Sequence, residues 1–564
     1  MAAALIVAAN AQPARDPAPV YERTYVSTDK DAYVSGDRVW CSAFCLRADS
    51  IGLSKKSAVA YVEVISVTGE IMKTAKIYLD GGRGAGYIDL PESMPTGNYR
   101  MFAFTAVNKN EDGYDFLQNS KVISVFNAKS PAKVRDRIEA VSDRIYAQGR
   151  ESLASDPQAG DLRISVPEHG SKGGRISIGL SNGEKETVSL SVSVYHHDSI
   201  VPSEDKAITS FDKGNGKLGS YTRRFLPEAE GEVIYARLAG KDRETILSDE
   251  PAPTAYISIP GSIGDTYTGS ISRDGEITFM TNNIYGNREV VTEVADLDNE
   301  DLVGQVDIQT PFVNVSTDVP VLRIAEGIGN DVVARGRQMQ TFHMEYRDSL
   351  GEFRARREEF PYSQEAARVY ILDDYTRFPT IREVLVEITQ EVRVRGRNNK
   401  QKIQVLTKDI EGDGGLSMSW ETSLVLLDGV PVFKHKDMMD YDAMLLKEIH
   451  VWREKYIFGN RTFFGVVNFI SKRGNMAFMD FGNNVRIVDY TGVCYPMEFT
   501  SRYGSGEDTR QTILWKPEVE LKAGESTDIR CLLPDYEGTF DIVVEGVTED
   551  GGLIHRKATI TVGN

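Results

Sequence analysis

At 564 residues the chain is too long for one hydrophobic core and implies roughly three to five domains of about 100–200 residues each. Hydrophobic residues make up 41% and charged residues 26%, ordinary globular proportions that exclude a disordered or collagen-like chain. With 83 acidic against 65 basic residues the formal net charge is −18, which repels phosphate backbones and excludes bulk nucleic-acid binding.

In chain order, Met1–Ala11 is an apolar run ending in Ala9-Asn10-Ala11, the pattern of a signal peptide's apolar region and cleavage site, although a basic start is missing. No Cys follows that could carry a lipid anchor. No later run approaches the roughly 18 apolar residues of a membrane helix. The expected product is exported, in the periplasm or associated with an outer membrane, and at most peripheral to it.

Residues 20–127 read as a β-sandwich: Val39–Phe44 and Ala58–Val67 have strand-like apolar patterning, and Gly69 and Gly81–Gly86 mark turns. Residues 128–160 read as a helix and linker, because Val134, Ile138, Val141 and Ile145 recur at helical spacing. Residues 161–228 form a second sandwich segment, with Ser203–Thr222 as a mobile loop. Residues 229–319 form a third β unit, in which Asp274-Gly275 marks a hairpin. In residues 320–490, Arg335–Phe342 is open to a helical reading. Thr380–Thr389 is a firmer helix, with Thr380 as N-cap and Glu383 at the capping-box position. Residues 491–564 close the chain as a C-terminal β unit. The fold class is mainly β: tandem sandwiches, then an α+β region, then terminal strands.

The residues Asp29, Lys30, Tyr33, Gly36, Asp37 and Val39, with Gly86–Pro91 and Thr96–Arg100 downstream, resemble the opening sandwich of alpha-2-macroglobulins and their bacterial relatives. Gly36 and Gly97 permit tight turns, while Tyr33 and Tyr99 offer apolar rings with hydroxyls to satisfy. Leu424–Val432, then Lys447–Trp452, Tyr456–Asn460 and Phe464–Gly474 resemble the plug domain of TonB-dependent outer-membrane receptors. That family carries a barrel of about 22 strands after the plug, and Asn475–Asn564 is too short to supply one. The whole chain resembles envelope proteins, typical of Bacteroidota, that join macroglobulin-type sandwiches to a barrel-less plug-like domain. The resemblance implies no settled activity.

Candidate chemistry is sparse. No Cys-x-x-Gln thioester exists at Cys41, Cys45, Cys494 or Cys531. Cys41 and Cys45 lie about 13 Å apart on one extended strand, too far to bridge. Cys494 and Cys531 either remain buried thiols, the commoner outcome, or pair if their strands are neighbours. His196-His197-Asp198 is a strand end rather than a metal site, because adjacent residues there face opposite ways. Asp409-x-Glu411-x-Asp413 starts like a calcium loop, but Trp420 stands where a bidentate Glu is required. No catalytic, cofactor or metal residues are expected. A basic run, Arg377, Arg382, Arg393, Arg395, Arg397, Lys400 and Lys402, stands out in an acidic chain, ordinarily as a solvated edge.

The expectation is a non-enzymatic envelope binding or scaffolding protein. Its plug-like region would engage an outer-membrane barrel or assembly partner, with Asp428, Gly429, Arg393, Arg395 and Arg397 as partner-binding candidates. The alternative is a glycan- or peptide-capture component of a nutrient uptake system, which needs a concave site lined with exposed aromatics; Trp420, Trp452 and Trp515 are on offer, each equally readable as a core residue.

Overall fold

In the computed structural model, the described residues are 18–563 except 51, 131–137, 142–160, 198–207, 213–217, 250–252, 262–264, 297–301, 326–327, 330–331, 338, 341–365, 397–400, 409–415, 419–421, 459–460, 500–507 and 509. The signal-peptide reading, the linker at 151–160, the calcium-like loop, Arg397, Lys400 and Trp420 lie outside them. The architecture is mainly β with several sheets packed as sandwiches. Among the described residues no helix is long and apolar enough to cross a membrane. The chain falls into two compact units. One gathers described residues of Met1–Ala229, Val315–Met339 and Glu498–Asn564; the other gathers those of Glu230–Asn314 and Gln340–Met497.

The first unit opens on a sandwich. One sheet orders Glu22–Thr28, Arg38–Arg47 and Arg83–Asp89; the other orders Ala32–Val34, Lys121–Phe126, Gly97–Phe104, Val59–Ile65 and Ile71–Tyr78. Nearly every residue of Arg38–Arg47 is buried, which a strand exposed on one face could not show. Its second face is covered within the same unit: Ser42 Oγ donates to Pro517 O at 3.0 Å. The turn residues each have work. Asp29 Oδ1 accepts from Trp40 N (3.1 Å) and the Tyr33 hydroxyl (2.9 Å), and Oδ2 accepts from Thr512 Oγ1 (2.6 Å). Asp37 accepts from Val34 N, and Gly36 takes φ 93°, which a side chain would strain. Tyr99 is buried with its hydroxyl on Pro95 O, 2.6 Å away.

The second sandwich of this unit is assembled from distant segments. Val188–His196 pairs antiparallel with Thr512–Leu521 on one side and Gly538–Thr548 on the other. Arg175–Asn182 pairs with Leu162–Ser165 and Ser526–Leu532. The segments expected at 161–228 and 491–564 therefore share two sheets and one apolar core, built around Leu180, Val192, Phe540 and Ile542.

Two local expectations are corrected. Ile138–Val141, expected in an amphipathic helix, is a strand paired in parallel with Leu322–Ala325. Ile138 packs beside Val34, Phe126 and Leu322, so tertiary pairing overrides the helical stripe. The flanking residues 131–137 and 142–150 are outside the described residues. Within Ser203–Thr222, expected as a mobile loop, Ile208 and Phe211 are buried against Tyr25, Phe44 and Val547. Burial of two apolar side chains anchors this part of the segment.

In the second unit a seven-stranded sheet runs Gln305–Ile308, Val233–Ala239, Glu276–Met280, Asp265–Ile271, Thr254–Ile259, Asn287–Ala295, Val485–Thr491. The Asp274-Gly275 hairpin forms as expected, with Ile271 opposite Ile277 and Gly275 at φ 81°. The sheet curls until its two edge strands are tied by side chains: Arg486 pairs with Asp307 and donates to Gln305 Oε1 at 2.8 Å. Its last strand follows an α/β region in the sequence. That region has a five-stranded sheet, ordered Arg368–Ile371, Leu446–Phe458, Arg461–Ser471, Leu424–Leu427 and Val430–Pro431, and a three-stranded sheet, Val392–Arg395, Lys402–Lys408 and Leu416–Met418.

The helix Ile381–Glu387 begins at the expected cap, with Thr380 and Glu383 bonding reciprocally. Ile381, Val384 and Leu385 are buried on one face of the five-stranded sheet with Ile449, Val467 and Phe469. Burying each such side chain stabilises by about 1.5–3 kcal/mol. Leu424, Leu426, Trp452 and Val466 form a separate cluster with Tyr256.

Several buried charges make stability depend on pH. Burial pushes the Glu545 carboxyl up, but the hydrogen bond and charge of His555, the charge of Lys121 and the Ser27 hydroxyl outweigh it and bring it to about 2. Tyr25 and Ser27 hydroxyls and Ile208 N all donate to this carboxylate, joining strands of the two sandwiches. In the second unit, burial first and Lys402 second hold the His435 imidazole down to about 3, and its Nδ1 accepts from Ile403 N. Both groups bind fewer protons folded than unfolded, so their contributions are present near neutrality. That of Glu545 is lost as pH falls from about 4.5 towards 2, and that of His435 as pH falls from about 6.5 towards 3. Glu545→Gln is expected to lower stability at pH 7 by about 3 kcal/mol and to flatten the acid limb of the stability–pH curve, measured by urea unfolding between pH 7 and pH 3.

Candidate functional site

The hairpin between Leu424–Leu427 and Val430–Pro431 pairs Leu427 with Val430, leaving Asp428-Gly429 as a two-residue turn. Both residues have positive φ, 50° and 81°, the backbone that a tight hairpin of this type requires. Asp428 is fully buried. Its Oδ1 accepts from Ser471 N (2.7 Å), and its Oδ2 from Ser471 Oγ (2.5 Å) and Met476 N (2.7 Å). Gly429 N donates to Asn468 Oδ1 at 3.1 Å. A buried carboxylate without such donors would cost several kcal/mol, so the turn, the end of Arg461–Ser471 and the following loop are fastened as one piece.

That loop presents the most exposed aromatic among the described residues. Gly474, Met476 and Phe478 all have positive φ, at 68°, 54° and 67°. For two side-chain-bearing residues this costs about 1–3 kcal/mol each and persists only where surroundings impose it. Here Asp428 holds Met476 N, the Tyr441 hydroxyl donates to Ala477 O (2.9 Å), and the buried Met476 side chain joins the α/β core. The outcome is Phe478 at 73% exposure, with the Arg473 guanidinium 5.4 Å from its ring. Met444, 41% exposed, is on the adjoining 3-10 turn, whose Leu445 O accepts from Lys472 N.

The candidates read from sequence are distributed over two places. Asp428 and Gly429 share the buried turn, where they support the loop and offer no surface. Arg393 and Arg395 share the edge strand Val392–Arg395, alternating with buried Val392 and half-buried Val394. Arg393 Nη1 donates to Thr389 O at 2.9 Å. Arg377, from the same basic run, donates through Nη2 to Leu446 O at 2.7 Å and to Ala443 and Met444 carbonyls, closing the 3-10 turn. Trp452 and Trp515 are core residues, at 4% and 2% exposure. His197 pairs with Asp541 at 2.7 Å, and among the described residues no group of His, Cys, Asp and Glu could hold a metal. Cys531 is a buried free thiol pushed up to about 12 by burial, so no bridge joins it to Cys494. Phe478 was missed because exposure is invisible in composition. The signal available was two Phe and two Met between Gly474 and Gly482 in a short loop after Lys472-Arg473.

No family model matches the chain, and no curated protein matches it. Among solved structures, native Escherichia coli alpha-2-macroglobulin is 10% identical, covers 97% of this chain and 40% of its own, and has a TM-score of 0.23. Salmonella alpha-2-macroglobulin reacted with methylamine is 8% identical over 97% of this chain and 40% of its own, with a TM-score of 0.24. The Escherichia coli adhesin FdeC is 10% identical over 54% of this chain and 64% of its own, with a TM-score of 0.13. The chain spans about two-fifths of the length of the alpha-2-macroglobulins it matches. Its sandwich architecture rests on its own strand pairing.

Asp428→Ala leaves Ser471 N, Met476 N and the Ser471 hydroxyl without their acceptor. It is expected to destabilise the protein by about 3–5 kcal/mol, read by urea unfolding, and to raise hydrogen exchange at Met476 and Ala477 first. Elsewhere in this unit the buried Glu293 carboxyl is pushed up to about 8 by burial, against the opposing hydrogen bond from Asn484. Its contribution is present below about pH 4.5 and is lost as pH rises through 8. Glu293→Gln should therefore melt above wild type at pH 9 and close to it at pH 5.

Proposed function

We propose that this chain is a non-enzymatic binding or scaffolding protein of a bacterial cell envelope, whose α/β region engages an outer-membrane barrel or assembly partner in the manner of a plug. The observation that carries the reading is Phe478, 73% exposed on a loop whose strained backbone is fastened by the buried Asp428 carboxylate. The outward placement of the Phe478 ring adds no burial to the fold, whereas a binding surface gains a pre-organised anchor from it. The sequence of Leu424–Gly474 supports the plug-like part, and the macroglobulin-like turn at Asp29–Asp37 supports an envelope setting with tandem sandwiches as spacers.

In this reading the buried turn Asp428-Gly429 positions the anchor, and Arg393 and Arg395 lie on a separate basic edge. A photo-cross-linking residue at position 478, in cells expressing the full chain, is expected to capture one discrete outer-membrane protein. Phe478→Ala should weaken binding of that purified partner about 30-fold or more, the effect of losing an anchor worth about 2 kcal/mol, with an unchanged melting temperature. Capture of no outer-membrane protein, or full binding by the alanine variant, would sink the reading.

A further inference from the structure

The loop that carries Phe478 is pinned near both ends by buried carboxyls, and the two pins differ. Near its start, Asp428 takes three donors: Ser471 N, Ser471 Oγ and Met476 N. At its end, the buried Asn484 side chain donates through Nδ2 to Glu293 Oε1. Glu293 is 8% exposed, and Asn484 is the one hydrogen-bond donor to its carboxyl among the described residues. A carboxyl so placed is more stable neutral than charged. Burial pushes it up to about 8, outweighing the Asn484 bond and the attraction of Lys434, while Asp437 repels. Asp437 faces it from the helix His435–Asp440, and Lys434 from the residue before that helix. Asp480, on the loop itself, bears on Asp437 with further negative charge. On the neighbouring strand Tyr256 is directly opposite Glu293, and burial holds its phenol up to about 12. Val485, opposite on the other side, is uncharged.

We propose that the Glu293–Asn484 contact is a pH-operated latch: neutral Glu293 holds the end of the loop and keeps Phe478 in place, and ionised Glu293 lets that end go. The Asn484 bond favours the charged form, but burial outweighs it, so an ionised carboxyl is more stable once water reaches it. A mechanical asymmetry decides which side yields. Glu293 is on Asn287–Ala295, a strand bonded on both sides, to Thr254–Ile259 and to Val485–Thr491. Moving it would break two ladders. The loop is the weaker party, because Met476 and Phe478 have φ of 54° and 67°. Around Asn484 it is held by Gln305 Nε2 on Asn483 O (2.8 Å) and the turn bond from Val485 N to Gly482 O (3.1 Å). Few bonds of this kind are needed for a segment to open locally, and Asp428 keeps the start of the loop in place. The closed form binds the extra proton, so each step from about pH 4.5 towards 8 tilts the balance to the open form. The latch is therefore shut in acid and loosens as pH rises. Its purpose rests on the reading of Phe478 as an anchor; its operation does not.

Fluorophenylalanine placed at position 478 of the full chain reports the loop by fluorine NMR, from about pH 5 to about pH 9. The wild-type signal is expected to titrate once, with a midpoint no higher than about 8. Glu293→Gln, neutral throughout, should keep the acid signal across the range. Asn484→Ala, which lacks the other half of the latch, should show the alkaline signal throughout. Asp437→Asn should still titrate, because Asp437 only modulates the latch. A wild-type signal that does not titrate, an unchanged titration in Glu293→Gln, the acid signal in Asn484→Ala, or a loss of titration in Asp437→Asn would each overturn the proposal. With the outer-membrane protein captured at position 478, wild-type binding should be about tenfold or more weaker at pH 8.5 than at pH 6, and that of Glu293→Gln equal at both. Equal wild-type binding at both would overturn the regulation and leave the anchor. The fluorine titration uses no partner, so a failure to capture one would sink the anchor reading alone.

Discussion

Val188–His196 is hydrogen-bonded on one side to Thr512–Leu521 and on the other to Gly538–Thr548, and much else in the first unit follows from that. The strand cannot complete its ladder until the far end of the chain is present, because more than 300 residues separate the partners in each pair. Such pairing carries a high loop-closure cost before any contact rewards it, so this sandwich is a slow, late element of folding. The second unit repeats the arrangement on a smaller scale: Val485–Thr491 completes the seven-stranded sheet only after the α/β region has been made. Each unit thus contains an early sheet whose closing strands come late.

Buried carboxylates hold the junctions. Asp29 bonds the first strand pair to Thr512, and Glu545 gathers Tyr25, Ser27 and Ile208. Glu22 accepts from Ser57 and Thr105 inside the first sandwich. Carboxyl oxygens out of water are costly unless several donors converge on them, so each fixes the geometry of the elements that supply those donors. A misplaced strand would leave these buried polar groups without their partners, at a cost that apolar contacts alone would not impose.

In the α/β region the same chemistry is turned outward. Asp428 uses its donors to fasten a loop that carries two side-chain-bearing residues in left-handed backbone. The complete apolar core beneath that loop leaves Phe478 to solvent. The exposed edge at Val369 and Ile371 is a second outward feature of this region, built from strand alternation: Tyr370 fills the core, so its neighbours face away from it.

Local chemistry was legible without coordinates. Asp29, Tyr33, Gly36 and Asp37 announced their turn, Asp274-Gly275 its hairpin, and Thr380 with Glu383 a helix start, because each depends on residues a few positions apart. The apolar stripe at Ile138 was equally local and was misleading: pairing with Leu322–Ala325, about 180 residues away, made Ile138–Val141 a strand. Asp428 was recognisable as a residue before a turn glycine, but its role as a buried clamp depends on Ser471 and Met476 reaching it. Sequence by itself determined the predominance of strands and the places where the backbone turns, since these follow from short-range sterics and periodicity. Only the tertiary structure decided which distant strands share a sheet and which apolar side chains remain in water, since both are set by long-range packing that no local pattern encodes.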